Sequence, residues 1–234
     1  ALGVFLLLQG RLPEAIQSFQ RAIRTSPDNT RAITNLGTAY QQLGRYDEAV
    51  REYERSIAIR PTPVALSNLG ALQFALRRFG DAAETFRRAT ALQPTNATVW
   101  LNLGDALRWR GDADAEARDA YRRAISLAED DLAVTPLDAE RQSTLALALA
   151  WSGEIDAARE RLARALELDG TNSYFLYQAG LIELAAGDTG AAIDRIEAAV
   201  RAGYPVESLV DDPQVDGLRS DPRFARIGAL SQDR

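Results

Sequence analysis

RAITNLGTAYQQLGRYDEAVREYERSIAIRP, residues 31–61, is the stretch that decides the fold. Leu36 and Tyr40 fall on one face of a first helix, and Ala49 and Tyr53 on one face of a second. Gly37 and Ala49 are small where the two helices have to come close. Gly44 ends the first helix, because glycine enters the left-handed C-terminal cap without a Cβ penalty. Pro61 ends the second, because the residue before a proline is pushed out of the α region.

The same hairpin recurs. Leu2-Gly3, Gly10, Ala15, Phe19, Ala22 and Pro27 form a first copy lacking its opening residues, so the sequence is expected to start inside a helix and to be cut from a longer protein. A third copy carries Leu66, Leu69-Gly70, Ala82, Phe86, Ala89 and Pro94, with Phe74 one place beyond the usual aromatic and Arg77 where the turn glycine belongs. The fourth opens on Trp100, Leu103-Gly104, Leu107 and Gly111, then slips by one before Tyr121, which predicts an insertion within 112–115 that lengthens the turn. No proline follows until Pro136, so its second helix is predicted to run about two turns longer than its siblings. Copies five and six show Leu145-Ala146, Gly153, Ala158, Leu162 and then Ala179-Gly180, Gly187, Ala192, Ile196. Beyond Tyr204 the period stops. Asp212-Pro213 and Asp221-Pro222 each predict an aspartate N-cap with proline at the first helical position, and Val215, Leu218, Phe224, Ile227 and Leu230 supply an apolar side. These short helices are read as a cap over the last hairpin.

The spacings L-G-x2-Y, then A-x3-F, then P, returning about every 34 residues, resemble the tetratricopeptide repeat family. The resemblance implies an all-α, right-handed superhelical solenoid of about six helical hairpins. The array is placed at 1–205, with repeats 1–29 (truncated), 30–63, 63–96, 97–138 (irregular and long), 139–172 and 173–205; residues 206–234 form the capping helices. The ending from Ala202-Gly203-Tyr204 to Phe224 is similar to the tail of arrays appended to bacterial serine/threonine kinases, nucleotide cyclases and winged-helix regulators.

Composition narrows the function. The 234 residues contain no Cys, His, Met or Lys, so all 27 basic residues are Arg. Thiolate and imidazole metal sites, Cys or Lys nucleophiles, histidine bases and a P-loop lysine are thereby excluded. No cofactor is expected. A net charge of −6 argues against a nucleic-acid partner. The apolar run Val4 to Leu8 is far below a membrane span. Glu129-Asp130-Asp131 point around a helix axis rather than at one atom, so they do not make an acid–base pair, and the chain is read as no enzyme. Arg-rich, Lys-free usage suggests a high-GC bacterial genome, and a cytoplasmic setting is expected, with the exported side of a membrane-anchored parent as the alternative.

Asn35, Asn68 and Asn102 each precede Leu-Gly at the sixth place of three consecutive first helices. First helices line the concave groove in this family, and asparagines there resemble the ladder that holds peptide backbone in the N-acetylglucosamine protein transferase. A carboxamide offers both donor and acceptor to a peptide unit. The alternative is that they cap or bridge neighbouring helices. Arg31, Thr38, Phe74, Asp105, Arg108 and Trp109, with Thr34, Gln41, Ser67 and Leu101, fall at other inward positions by the same count. The family's clamp for chaperone C-termini wants Lys at the fifth and Asn at the ninth place; Thr34 and Thr38 stand there, so it is set aside. The sequence therefore reads as a protein- or peptide-binding module of a larger bacterial signalling protein, with self-association of that protein as the second reading. Arg87-Arg88 and Arg122-Arg123 are read as solvated outer charge, and Trp100, Tyr40, Tyr53, Phe19, Phe86 and Tyr121 as hairpin core.

Overall fold

Helices that are apolar on one face must bury it, and here each buries it first against its sequence neighbour. The computed structural model describes residues 2–229, all-helical with turns and no strand among them; Leu230 lies outside the described residues. The chain divides into two units, residues 1–94 and 95–234. The first holds three hairpins: α1 (Leu2–Leu8) with α2 (Leu12–Thr25), α3 (Thr30–Gln42) with α4 (Tyr46–Ile59), and α5 (Pro63–Ala75) with α6 (Phe79–Leu92). The second holds three more: α7 (Ala97–Arg110) with α8 (Asp114–Val134), α9 (Ala139–Trp151) with α10 (Ile155–Leu168), and α11 (Ser173–Ala185) with α12 (Thr189–Arg201). α13 (Val206–Asp211), a 3-10 helix (Pro213–Leu218) and α14 (Pro222–Ala229) follow. No described helix is long and apolar enough to cross a membrane.

The first four hairpins close on the same pair, a glycine and an aromatic ring, and the sixth sets Gly180 against Ile196. A Cβ on Gly37 would stand 2.7 Å from the Tyr53 ring, on Gly70 2.8 Å from Phe86, and on Gly104 2.5 Å from Tyr121. Those distances leave no room for a methyl group, so the large ring and the missing side chain specify one another. Ala146 takes the glycine's place in the fifth hairpin, where the residue in the ring's position is the smaller Leu162; both are buried. First helices are capped by Asn29, Thr62, Asn96, Asp138 and Asn172, whose side chains accept from backbone N–H groups of the first turn.

The turns show what the irregular copies cost. Gly44 and Gly111 adopt φ of 71° and 81°, and in the third hairpin Arg77 takes that left-handed place at 61°. A side chain there costs roughly 1 kcal/mol. Phe74 packs edge-on against Phe79 at 5.3 Å across this turn, and Gln73, in the usual aromatic place, accepts from Thr85 at 2.8 Å. The turn after Gly111 is not lengthened, contrary to the sequence expectation: α7 runs to Arg110, Gly111 caps it, and three residues, 111–113, join it to α8, as 43–45 join α3 to α4. α8 has 21 residues where α2, α4, α6 and α10 have 14, a surplus of two turns. Its far end is tied to α9 by Arg141, which reaches Asp131 at 3.1 Å and also pairs with Asp138.

The tail caps the last hairpin. Leu209, Val215, Leu218 and Ile227 are buried, Phe224 half so, α14 packs on α12, and Arg223 pairs with Asp194. Asp212 accepts from Gln214 N at 2.8 Å and Asp221 from Arg223 N at 2.7 Å, each with proline next in sequence. The outer charges are solvated ion pairs, Arg122 with Asp119 and Arg87 with Glu84.

Candidate protein-binding surface

In the first unit α3 and α5 lie side by side, and their sixth residues, Asn35 and Asn68, are half-buried. Asn68 Nδ2 donates to Thr38 Oγ1 at 3.4 Å, a long bond that ties α5 to α3. Thr38 Oγ1 lies 3.2 Å from the Tyr53 hydroxyl, which donates to Gln41 Oε1 at 2.8 Å. Thr34, counted inward from the sequence, is buried and lies 2.8 Å from Ser56 Oγ, so it serves the hairpin. Arg31 is exposed and Ser67 half-buried, whereas the Phe74 ring is engaged with Phe79.

The second unit gathers more chemistry. α7 packs on α9 and α9 on α11, so three first helices form one layer. Asn102, Asp105, Arg108 and Trp109 are half-buried on α7, while Leu101 is buried. The Arg108 guanidinium lies over the Trp151 ring, 3.7 Å from its centroid, and 5.7 Å from that of Trp109. Asp105 Oδ1 accepts from the Tyr121 hydroxyl at 2.8 Å. On the neighbouring helices, Ser143 Oγ donates to Gln178 Oε1 at 2.5 Å between α9 and α11. The tail enters the same layer: Tyr177 donates its hydroxyl proton to the Asp212 carboxylate, and Tyr204 stacks on Tyr177 with ring centres 4.5 Å apart.

Burial dominates the electrostatics. It pushes the Asp105 carboxyl up to about 6, against the pull of Arg108 and the Tyr121 hydroxyl and with help from Asp212. Burial likewise raises Asp212, though Tyr177 and the Gln214 amide favour its charged form. Tyr174, although half of its surface is open to solvent, is held above its ordinary value by the packing around its hydroxyl and then by Asp105 and Asp212. Two buried donors, Arg108 Nε and Trp151 Nε1, have no acceptor among the described residues.

The sequence count singles out Asp105, Arg108 and Trp109 and misses their companions. Trp151 stands five places after Ala146 as Trp109 stands five after Gly104, so the repeat register held that signal. Tyr174 and Tyr177 likewise occupy in α11 the places of Arg31 and Thr34 in α3. Asp212 and Tyr204 lie beyond the period, and no spacing announces them.

Two family models described as tetratricopeptide repeat match the chain, one over residues 6–71, the other over 67–131 and 143–206. Among characterised proteins, BBSome complex member BBS4 of Bos taurus is 39% identical over 61 residues, 26% of this chain and 12% of that protein. The probable UDP-N-acetylglucosamine–peptide N-acetylglucosaminyltransferase SPINDLY of Solanum lycopersicum is 37% identical over 65 residues, 27% of this chain and 7% of that one. The matched segments are thus a small fraction of these relatives. Among solved structures, the APC/C hetero-tetramer Cut9-Hcn1 covers 98% of this chain and 41% of its own at a TM-score of 0.61 and 19% identity. A thermophilic repeat protein of Thermus thermophilus covers 85% of this chain and 98% of its own at 0.59 and 23%. With the hairpin register, the glycine–ring pairs and a family match over more than half its length, the chain belongs to the tetratricopeptide repeat family.

Proposed function

We propose that this chain is a non-catalytic protein-binding module that holds a partner segment along the first helices. Proteins of this repeat family are in general protein–protein interaction scaffolds, and two of the similar proteins carry names of multi-protein assemblies, the BBSome and the APC/C. The observation that carries the reading is the layer of α7, α9 and α11. It presents half-buried Asp105, Arg108, Trp109 and Trp151 together, with the Arg108 guanidinium lying over the Trp151 ring. Such a mixture of aromatic anchors and directional polar groups is what protein interfaces concentrate at their centres. Asn35 and Asn102 add carboxamides at the ladder position, and Asn68 belongs to the same set at the cost of its Thr38 bond. Attachment to a larger signalling protein is part of the proposal and is supported by the likeness of the tail.

The test is selection of binding peptides from a displayed random library, followed by comparison of wild type with Asn35→Ala/Asn68→Ala/Asn102→Ala and with Trp151→Phe. Each lost hydrogen bond is expected to weaken binding by about 1 kcal/mol. The melting temperature is expected to hold, apart from a small loss for the Asn68 bond. A triple variant that binds as tightly as wild type, or melts far lower, makes these asparagines helix fasteners and removes the ladder.

A further inference from the structure

The ring that closes the second hairpin carries a hydroxyl that packing does not require. Tyr53 is fully buried and lies against Gly37, in the place that Phe19 and Phe86 fill in the first and third hairpins without an oxygen. Because Gly37 offers no side chain, the ring passes close beside α3 and its hydroxyl reaches half-buried polar groups of that helix. There Tyr53 Oη donates to Gln41 Oε1 at 2.8 Å, and Thr38 Oγ1 lies 3.2 Å from the same hydroxyl. Asn68 Nδ2, on α5, donates in turn to Thr38 Oγ1 at 3.4 Å. These links run in one direction, from the Asn68 amide through two hydroxyls to the Gln41 carbonyl. A hydroxyl that donates along such a chain accepts more strongly at its other side.

Both ends of the relay are carboxamides, and each is committed by one half only. Gln41 has spent its carbonyl oxygen on Tyr53, which leaves Nε2 to donate elsewhere. Asn68 has spent Nδ2 on Thr38, which leaves Oδ1 to accept. Among the described residues neither remaining group has a partner, and both side chains are half-buried, so each is open in part to solvent. A donor and an acceptor joined by one relay complement a peptide unit, which carries one C=O and one N–H. We propose that Tyr53 is a positioning residue, which through this relay holds Gln41 as a donor to a carbonyl, and Asn68 as an acceptor from an N–H, of a bound polypeptide backbone. The inference rests on the protein-binding reading above and assigns a polarity to its first unit. Asn68 then meets the partner without giving up its Thr38 bond.

Side-chain amide NMR of the full, nitrogen-15-labelled chain reads the relay without any partner. The Gln41 amide hydrogens are expected to exchange with water as fast as those of Asn35, whose half-buried side chain makes no bond among the described residues. One Asn68 hydrogen is expected to be retarded. Tyr53→Phe keeps the ring, so it is expected to melt near wild type, to loosen the Gln41 amide in nitrogen-15 relaxation and to leave Asn35 unchanged. With a peptide selected from the displayed library, Tyr53→Phe is expected to weaken binding by about five- to tenfold. Gln41→Glu, which keeps the acceptor for Tyr53 and loses the outward donor, is expected to do the same. An ester scan of that peptide, removing one N–H at a time, is expected to find a position whose penalty disappears in Asn68→Ala. Retarded exchange at Gln41 overturns the assignment, because it marks the reversed chain in which Gln41 donates to Tyr53, and Thr38 to the Thr34 carbonyl at 3.2 Å. A Gln41 amide equally ordered in Tyr53→Phe overturns it too. A peptide indifferent to both Tyr53→Phe and Gln41→Glu removes the proposal and leaves the wider reading standing. If no peptide is selected, the wider reading falls and the proposal with it, even where the Gln41 amide loosens in Tyr53→Phe.

Discussion

Replacing Asp105 by Asn is expected to stabilise the second unit at neutral pH and to leave it nearly unchanged in acid. The carboxyl titrates near 6 in the folded chain against 3.8 for the ordinary group, so its charged form is disfavoured by the fold. That displacement corresponds to about 3 kcal/mol. Because the folded state holds the proton more tightly than the unfolded chain, stability falls as pH rises from about 4 to about 6 and is level above that. Asn keeps the acceptor for the Tyr121 hydroxyl and removes the charge, but it also takes an opposite charge from Arg108. We therefore expect a gain of about 1–2 kcal/mol near pH 7.5 and close to none near pH 3, below the ordinary carboxyl value, with some pH dependence remaining through Asp212, which is also raised. Urea unfolding at the two pH values, read by the fluorescence of Trp109 and Trp151 beside the substitution, measures it. A variant that loses more stability near neutrality than in acid shows that the Asp105 charge is net stabilising through Arg108, and the idea of a carboxylate held at a stability cost on the binding face fails.

Gly104→Ala is expected to lose about 1–3 kcal/mol, because its Cβ would stand 2.5 Å from the Tyr121 ring; thermal melting checks it, and an unchanged midpoint means the hairpin has slack. Arg77→Gly should gain roughly 1 kcal/mol by relieving a side chain at φ 61°, again read in the melt. Removing residues 206–234 uncovers the surface now under Leu209, Val215, Leu218 and Ile227, so the truncated chain is expected to melt lower and to self-associate in light scattering. A monomer of undiminished stability would make the tail a linker.

Periodic features were legible in the sequence and the rest were not, for a physical reason. A glycine–ring pair such as Gly37 and Tyr53 repeats because every hairpin must solve the same close approach, so spacing reveals it. Arg77 shows as a departure from the turn glycine, yet its backbone keeps the left-handed conformation that Gly44 and Gly111 adopt. Helical counting gives direction but not depth, which is why Thr34 and Leu101 were counted inward and are buried in the packing. It also cannot tell whether an extra residue enters a turn or a helix, and the one near Asp112 left the turn at three residues. Asp105, Arg108 and Trp109 stand out in α7, whose hairpin opens with the fullest match to the repeat; Trp151 and Tyr177 keep the same register in copies whose scaffold residues diverge further. Asp212 reaches Tyr177 by tertiary folding of the tail, which no local pattern encodes.

The central claim is that the first helices of the hairpins, and not the second helices, receive the partner segment. A photo-crosslinking amino acid placed in turn at Gln41, Trp109 and Trp151 on first helices, and at Arg55, Arg88 and Arg122 on second helices, tests it most directly with a peptide selected from the library. Crosslinks are predicted from the first-helix sites, competed by unlabelled peptide, with none above background from the second-helix sites. Crosslinks confined to Arg55, Arg88 or Arg122 contradict it.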